Sequence, residues 1–214
     1  LSDFNNQYNL NLSFVAENGS SIHGLNLIHK NLPKRISLSR TTDQIYKVYS
    51  ENIPSNIKQK ITFILRLKSK EQKEIFGLPL NKMLLAIKRN HSIPIQFNGS
   101  ESEKNEFINI INDCGLTIQT GGRIMNICDN TNKSKAMLKT VELIKEEMNN
   151  EIITIGVGDN QNDIDMLKKC DYACLVKNNS FDSSLINIDN LIKSTEPSPL
   201  GWAEVIKTAI QKIG

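Results

Sequence analysis

The sequence has few cysteines, a single tryptophan and no long apolar run. Its 214 residues contain four cysteines, and none of them forms the C-x-x-C pair that is typical of zinc and redox sites. We therefore expect reduced thiols and neither a disulfide framework nor a zinc site. No apolar stretch approaches the roughly 20 residues of a membrane-spanning helix, and the amino end lacks the features of a signal peptide. These absences favour a cytoplasmic protein with no membrane partner.

Charge of neither sign dominates the chain. There are 26 basic and 23 acidic residues, for a net charge of +3, and they are scattered along the sequence. A basic field of the kind that binds nucleic acid is therefore not expected, and basic segments such as LPKRISLSR are interpreted as solvated surface. The hydrophobic content of 39% is enough to fill one large domain, or a core domain with a smaller inserted one.

Short strand-like runs alternate with amphipathic helical segments. Strands are predicted for SFVAE, RISLS, SIPIQFNG, LTIQTGG, RIMNICD, EIITIGVGD, YACLVK and NLIKS. Helices are predicted for TTDQIYKVYSENI, LPLNKMLLAIKRN, ESEKNEFINIINDCG, KSKAMLKTVELIKEEMNN, a segment from about Asp163, and GWAEVIKTAIQKI. The carboxyl-terminal third alternates strand and helix as a doubly wound parallel sheet does. We therefore expect an α/β fold with a Rossmann-like core, residues 1–23 and 126–214, and an inserted α/β domain, residues 24–125.

The stretch ITIGVGDNQNDIDMLKKC crowds acidic residues behind an apolar strand. Asp159 follows the strand directly, so its carboxylate should lie at the carboxyl edge of the sheet, with Asn162 and Asp163 just after it. Two carboxylates and an amide at this spacing suit Mg²⁺, a hard cation that takes oxygen ligands. The simplest alternative is a helix N-cap, which explains one acid. A calcium loop is excluded because Ile164 and Cys170 stand where that loop needs glycine and glutamate.

These residues resemble a motif of the haloacid dehalogenase-like phosphohydrolases. That motif is G-D-x-x-N-D followed by a helix with an early methionine, and it is matched by Gly158, Asp159, Asn162, Asp163 and Met166. The resemblance implies that Asp159 and Asp163 are catalytic residues that hold Mg²⁺, and that Asn162 binds substrate.

A lysine at the start of the preceding predicted helix resembles a second motif of the family, K-G-x-A. Here it reads Lys133-Ser134-Lys135-Ala136, with serine in place of glycine. A lysine at a helix start is by itself typical of solvated surface. The resemblance implies that Lys133 is catalytic, offsetting the charge of a phosphate drawn toward carboxylates, and that Lys135 belongs to the substrate-binding set.

A narrower resemblance is to the mannosyl-3-phosphoglycerate phosphatase family. The stretches FVAENGSSI, TGGRIMNICDNTNKSKA and EPSPLGWAEVI are similar to its patterns and extend from Phe14 to Ile206. Three positions depart from it: Asn126, Asp129 and Asn132 stand where histidine, glycine and aspartate are expected. The resemblance implies an inserted cap of the C2 type and a small-molecule substrate that is a sugar phosphate ester with a carboxylate. Whether the sugar is mannose or glucose stays open.

The TGGR stretch and its neighbour Thr120 are implied to bind substrate. Gly121 and Gly122 allow backbone N–H groups to approach an anion closely, and Arg123 is suited to bidentate contact with a carboxylate or phosphate. A tight turn between two strands is the alternative interpretation of this stretch.

Three further residues are candidates for a place in the site. Arg89, in AIKRNHSIP, resembles an arginine of a cap segment in the same family and is implied to be a second anion contact. Asn18 follows a core strand, so either it touches substrate or it only forms a turn. His91 is interpreted as a surface residue, because a lone histidine beside a proline turn is usually one.

The resemblance implies phosphoryl transfer to an aspartate, followed by hydrolysis of the aspartyl phosphate, with the metal ion bridging nucleophile and phosphate. The motif for that nucleophile, D-x-D-G-T, is not found: Asp163-Ile164-Asp165 belongs to the metal motif, and no strand precedes Asp3. We therefore expect the core to be incomplete at its amino terminus, the nucleophile to lie upstream, and the chain as given to be inactive.

Two alternatives to a truncated phosphatase remain. One is an inactive relic that binds sugar phosphates, and the other is a non-enzymatic regulatory module that binds Mg²⁺. A missing central strand would also expose a sheet edge, which leaves homo-oligomerisation open.

Overall fold

The computed structural model describes residues 2–121, 124–184 and 186–214, and the chain divides into two compact units. The core unit consists of residues 1–36 and 132–214, and the inserted unit of residues 37–131. The sequence predicts the limits of the insertion at 24 and 125. The segment from 24 to 36 stays with the core unit, where the N–H of Gly24 donates to the carbonyl oxygen of Lys34 at 2.8 Å and the Ser13 hydroxyl donates to the carbonyl oxygen of Gly24 at 2.9 Å.

The described residues form helices and strands in the following order. The helices are α1 (Ser2–Tyr8), α2 (Thr42–Asn52), α3 (Ser55–Lys58), α4 (Ser69–Phe76), α5 (Leu80–Ala86), α6 (Glu101–Asp113), α7 (Lys133–Met148), α8 (Ile164–Leu167) and α9 (Leu200–Ile213). The strands are β1 (Phe14–Ala16), β2 (Ser21–His23), β3 (Arg35–Ser37), β4 (Ile61–Phe63), β5 (Ser92–Phe97), β6 (Leu116–Gly121), β7 (Ile124–Asp129), β8 (Ile155–Gly158), β9 (Tyr172–Lys177) and β10 (Ile192–Pro197). Short 3₁₀ turns lie at Glu17–Gly19, Leu25–Leu27, Ile64–Arg66 and Gln161–Asp163. None of these helices combines the length and apolarity that crossing a membrane requires.

The core unit is built on a parallel sheet with strand order β10-β9-β8. Alternate residues of β9 face two different apolar clusters. One cluster consists of Cys174, Val176, Ile192, Val205 and Ala209, and the other of Ile164, Leu167, Ala173 and Leu175. Helix α9 thus covers one face of the sheet and α8 the other, which is why YACLVK is apolar at consecutive positions. Among the described residues β8 pairs with β9 alone.

The inserted unit is built on an antiparallel sheet with strand order β4-β5-β7-β6. Helices α2 and α6 pack on this sheet through a buried cluster of Ile45, Tyr49, Ile53, Ile57, Ile93, Ile95, Phe107, Ile111, Leu116, Met125 and Ile127. Both helices begin at a capping box, with Thr41 and Ser100 as the N-caps. The predicted fold class, an α/β core with an inserted α/β unit, is confirmed.

One local prediction is wrong, that of His91. His91 is predicted at the surface, but it is only 1% exposed, and its Nδ1 lies 3.0 Å from the carbonyl oxygen of Arg40. The physical reason for the burial of His91 is its position beside Arg40, which forms an ion pair with Asp129. That ion pair joins the two ends of the inserted unit. The helix predicted from about Asp163 is present as the single turn of α8, which begins at Ile164 directly after the 3₁₀ turn Gln161–Asp163.

Tyr49 of α2 gives a testable pH dependence. It is 3% exposed, and burial, reinforced by the neighbouring Tyr46, raises the pKa of its phenol to about 12. In the unfolded chain a tyrosine titrates near pH 10, so folding favours the protonated form and the free energy of unfolding should fall as the pH rises from about 10 to about 12.

Replacing Tyr49 with phenylalanine should remove this loss of stability, which we expect to be up to about 2 kcal/mol. Denaturation at a series of alkaline pH values measures it, together with the ultraviolet absorbance of the phenolates. If the variant and the parent lose stability equally above pH 10, the shifted group is not Tyr49.

Candidate active site

The predicted metal motif lies at the carboxyl edge of the parallel sheet. Strand β8 ends at Gly158, Asp159 is the next residue, and the 3₁₀ turn Gln161–Asp163 follows. Asn160 caps that turn, its side chain accepting the N–H of Gln161. Open α/β sheets bind ligands at this edge, so the local structure agrees with the position predicted for Asp159.

Asp163 is the most heavily bonded of these acids. It is 5% exposed, and its Oδ1 lies 2.6 Å from Nζ of Lys133. Its Oδ2 accepts the N–H groups of Asp159 and Asn160 at 3.1 and 3.3 Å. A buried carboxylate needs such partners to offset its lost hydration. Asp163 therefore fixes both the turn that carries Asp159 and the ammonium group of Lys133.

Gly158 makes this arrangement sterically possible. A Cβ at Gly158 would lie 2.3 Å from Cβ of Asp163 and 2.7 Å from its Cγ, closer than non-bonded carbons approach. Glycine therefore allows the turn to fold back tightly onto the end of β8. This is the physical reason for the glycine of the G-D-x-x-N-D motif in this chain.

Asp159 is the exposed acid of the pair, and Asn178 holds it. The amide nitrogen of Asn178 donates to the backbone oxygen of Asp159 at 3.1 Å and to its Oδ2 at 3.4 Å. Asn178 directly follows β9 and so reaches the same edge of the sheet. Sequence reasoning missed it, although a polar residue at the end of a buried strand was a usable signal.

A cavity of about 320 Å³ joins these groups to the carboxyl-terminal segment. It is lined by Lys133, Val157, Gly158, Asp159, Asp163, Val176, Ser198 and Trp202. The structure thus brings together Lys133, Asp159 and Asp163, the three residues that the resemblance marks as catalytic. Ser198 and Trp202 were not among the predicted site residues, although both belong to the EPSPLGWAEVI stretch.

The donor set of this cavity fits Mg²⁺. The described residues contain no group of three or more histidine, cysteine or acidic side chains around one point, so a closed cage made of protein ligands is not present among them. Mg²⁺ typically binds through one or two carboxylates and keeps several waters or phosphate oxygens. A carboxylate has about four lone-pair positions, so Asp163 retains acceptor capacity beside its three hydrogen bonds, and Asp159 retains more.

The core unit contains three other residues that are predicted to contact substrate: Asn18, Lys135 and Asn162. Asn18 occupies the Glu17–Gly19 turn in a left-handed conformation, with φ 54° and ψ 38°. Lys135 and Asn162 are exposed, and neither is among the residues that line the cavity. Asn132, which departs from the family pattern, caps α7 by accepting the N–H of Lys135 at 2.8 Å.

The remaining predicted contacts belong to the inserted unit. Arg89 donates through Nε to the carbonyl oxygen of Ala86 at 3.0 Å and through Nη1 to the hydroxyl of Ser92 at 3.1 Å. Thr120 and Gly121 are the last residues of β6. Gly122 and Arg123 lie outside the described residues. All these roles in substrate binding stay predictions.

Curated relatives carry names that agree with the sequence resemblance. A "glucosyl-3-phosphoglycerate/mannosyl-3-phosphoglycerate phosphatase" from Methanococcoides burtonii is 31% identical over 139 residues, which cover 64% of this chain and 50% of that protein. A protein of the same name from Persephonella marina is 26% identical over 209 residues, which cover 94% of this chain and 76% of that protein. The chain thus spans only half the length of the first relative.

Solved structures share the fold at low sequence identity. SMU.1108c from Streptococcus mutans UA159 matches with a TM-score of 0.61 and 16% identity, over 98% of this chain and 82% of that one. A haloacid dehalogenase-like hydrolase from Bacteroides thetaiotaomicron matches with a TM-score of 0.60 and 14% identity, over 97% and 81%. A family model described as haloacid dehalogenase-like hydrolase matches residues 1–196. With the motif residues assembled at one sheet edge, this match confirms that the chain belongs to the haloacid dehalogenase-like hydrolase family.

Proposed function

We propose that this chain serves a Mg²⁺-dependent phosphatase that hydrolyses a glycosyl-3-phosphoglycerate, with mannose or glucose as the sugar, to the glycosylglycerate and phosphate. The observation that carries the proposal is the convergence of Asp159, Asp163 and Lys133 on one cavity at the carboxyl edge of the sheet. The names of the two curated relatives support the substrate class. The proposal includes a cytosolic location and a small-molecule substrate, with neither nucleic acid nor membrane as partner.

Some core residues are proposed to bind the metal ion and the phosphate, and others to position those residues. Asp159 and Asp163 would hold the metal ion, which when bound neutralises charge on the phosphate and orients it. Lys133 presents its ammonium group to the same cavity, where it would lower the energy of the extra negative charge that develops during phosphoryl transfer. Asp163 keeps that ammonium in place, and Asn178 keeps the Asp159 carboxylate turned toward the cavity.

The proposed nucleophile lies outside these residues. The sequence contains no aspartate pair directly behind an apolar strand other than the metal motif itself, so we propose that the aspartate that accepts the phosphoryl group belongs to further polypeptide. The 214 residues alone would then bind the ester without turning it over. An inactive sugar-phosphate-binding relic is the second candidate, favoured by this same absence.

The predicted substrate contacts complete the proposal. In the inserted unit, Arg89, Arg123 and the backbone of Thr120–Gly122 are proposed to bind an anionic group of the substrate, a carboxylate or a phosphate. In the core unit, Asn18, Lys135 and Asn162 would contact the phosphate ester. These contacts do not distinguish mannose from glucose as the sugar of the substrate.

Phosphate release from an upstream-extended protein tests the function. With Mg²⁺, the extended protein should hydrolyse glucosyl- or mannosyl-3-phosphoglycerate at least about 100-fold faster than the 214-residue chain, and a chelator should abolish the difference. Other sugar phosphates serve as controls for the substrate class. An extended protein that binds these esters but does not cleave them would favour the relic, and one that does neither would contradict the proposal.

A further inference from the structure

The only tryptophan in the 214 residues lies at the candidate active site. Trp202 is 52% exposed, and it lines the same cavity as Lys133 and Asp159. Single exposed apolar side chains are common on protein surfaces, so the informative feature of Trp202 is its place in the lining of a charged cavity. The predicted roles explain the charged residues of the cavity, but they assign no function to the indole of Trp202.

Helix α9 explains why Trp202 is exposed at this place. Val205 and Ala209 of α9 are fully buried against the parallel sheet. Trp202 precedes Val205 by three residues and Ala209 by seven, so all three lie on the same side of the helix. The first turn of α9 therefore carries the indole to the carboxyl end of the sheet, beside Val157 and Val176, which also line the cavity.

The amino-terminal part of α9 is bonded to, and packed closely against, the end of β10. The Glu204 carboxylate accepts the N–H of Thr195 at 3.0 Å and its hydroxyl at 3.2 Å. At Gly201, a Cβ would lie 1.8 Å from the carbonyl oxygen of Glu196, so only glycine permits this close approach. The backbone that carries Trp202 is thus held in place before any ligand arrives, which lowers the entropic cost of binding.

The cavity therefore combines two kinds of lining. Lys133, Asp159 and Asp163 supply charge, whereas Trp202 with Val157 and Val176 supplies apolar surface. A ligand that uses both has an anionic group and an organic part with an apolar face. One face of a pyranose ring is rich in C–H groups and packs well on an aromatic ring, whereas inorganic phosphate needs only the charged lining.

We propose that Trp202 is a specificity-determining residue whose indole packs against the sugar ring of the ester while the phosphate lies at Lys133 and Asp159. This inference rests on the proposed function, since it assumes that the cavity binds a phosphate ester. It assigns recognition of the sugar ring to the core unit, in addition to the contacts proposed for the inserted unit.

The single tryptophan makes the inference measurable in the 214-residue chain without turnover. With Mg²⁺ present, glucosyl-3-phosphoglycerate should shift the fluorescence maximum of Trp202 to shorter wavelength, because the sugar displaces water from the indole. Inorganic phosphate and 3-phosphoglycerate should bind with a much smaller shift. Calorimetric titration provides the affinities of all three ligands independently of fluorescence.

Variants separate the indole from the rest of the cavity. Trp202→Ala should bind glucosyl-3-phosphoglycerate about five- to twentyfold more weakly and inorganic phosphate within about twofold of the parent, and Trp202→Phe should recover most of the loss. Ile210→Ala is the matched control, because Ile210 is an equally exposed apolar residue of α9 outside the cavity lining, and it should change neither affinity.

The outcomes distinguish this inference from the proposed function. If the parent binds inorganic phosphate but Trp202→Ala binds the glucosyl ester as tightly as the parent, the role of Trp202 is wrong and the proposed function stands. An equal loss of affinity for both ligands would also overturn that role. If the parent binds none of the three ligands, the proposed function falls and the inference falls with it.

Discussion

Asp159→Asn should lower phosphate release by the upstream-extended protein at least about 100-fold and weaken Mg²⁺ binding at least about tenfold. Asp159 is the exposed member of the acidic pair, and among the described residues its carboxylate receives one long hydrogen bond, 3.4 Å from Asn178. It is therefore the acid with the most capacity for a metal ion. Asparagine has the same shape and keeps the bond from Asn178 to the backbone oxygen, so the fold should be preserved.

Asp165→Asn is the matched control for this change. Asp165 is also exposed and lies six residues further on in α8, but it is not among the residues that line the cavity. Removing its charge alters the net charge by the same amount, and we expect rate and metal affinity to stay within about twofold of the parent. Calorimetric titration of Mg²⁺ and steady-state phosphate release measure both variants. Normal Mg²⁺ binding in Asp159→Asn would mean that the metal is held elsewhere.

The position of Asp159 was predictable from sequence because it depends on local structure. An apolar run that ends in glycine predicts a buried strand, and the next residue must then lie at the edge of the sheet. The strands with polar or mixed residues were harder: β2 and β4 are only three residues long, and neither was predicted. Helix α4 was missed because its buried residue is the polar Gln72, whose amide donates to the carbonyl oxygen of Ile64.

The ion pair of Lys133 and Asp163 was not predictable in the same way. The two residues are 30 positions apart, and periodicity carries no information about which helix start meets which turn. Lys133 was predicted at the sheet edge, but the contact that holds it there depends on close backbone approaches at glycines. The resemblance implied the roles of both residues. The structure adds that the Asp163 carboxylate accepts three hydrogen bonds, which hold Lys133 and the turn that carries Asp159.

Gly19→Ala should strongly destabilise the core unit. Gly19 has φ +106°, and an added Cβ would lie 2.1 Å from the carbonyl oxygen of Asn132 and 2.4 Å from its carbonyl carbon. Backbone strain and overpacking together should lower the free energy of unfolding by about 2–5 kcal/mol. Gly77→Ala is the control, because Gly77 also has a positive φ, +62°, but nothing lies within 4 Å of its added Cβ, so only about 1 kcal/mol of strain is expected.

The change at Gly19 should also reach the active site. Asn132 is the N-cap of α7, and Lys133 is the first residue of that helix. In the parent the ammonium group of Lys133 lies 2.6 Å from the carboxylate of Asp163, so a displaced Asn132 should move the two groups apart. We expect Gly19→Ala to lose affinity for inorganic phosphate under conditions where the variant is still folded, whereas Gly77→Ala should bind it like the parent. Denaturant unfolding and calorimetric titration measure the two effects separately. A variant that is destabilised but binds phosphate normally would show that the turn at Gly19 supports the fold without positioning Lys133.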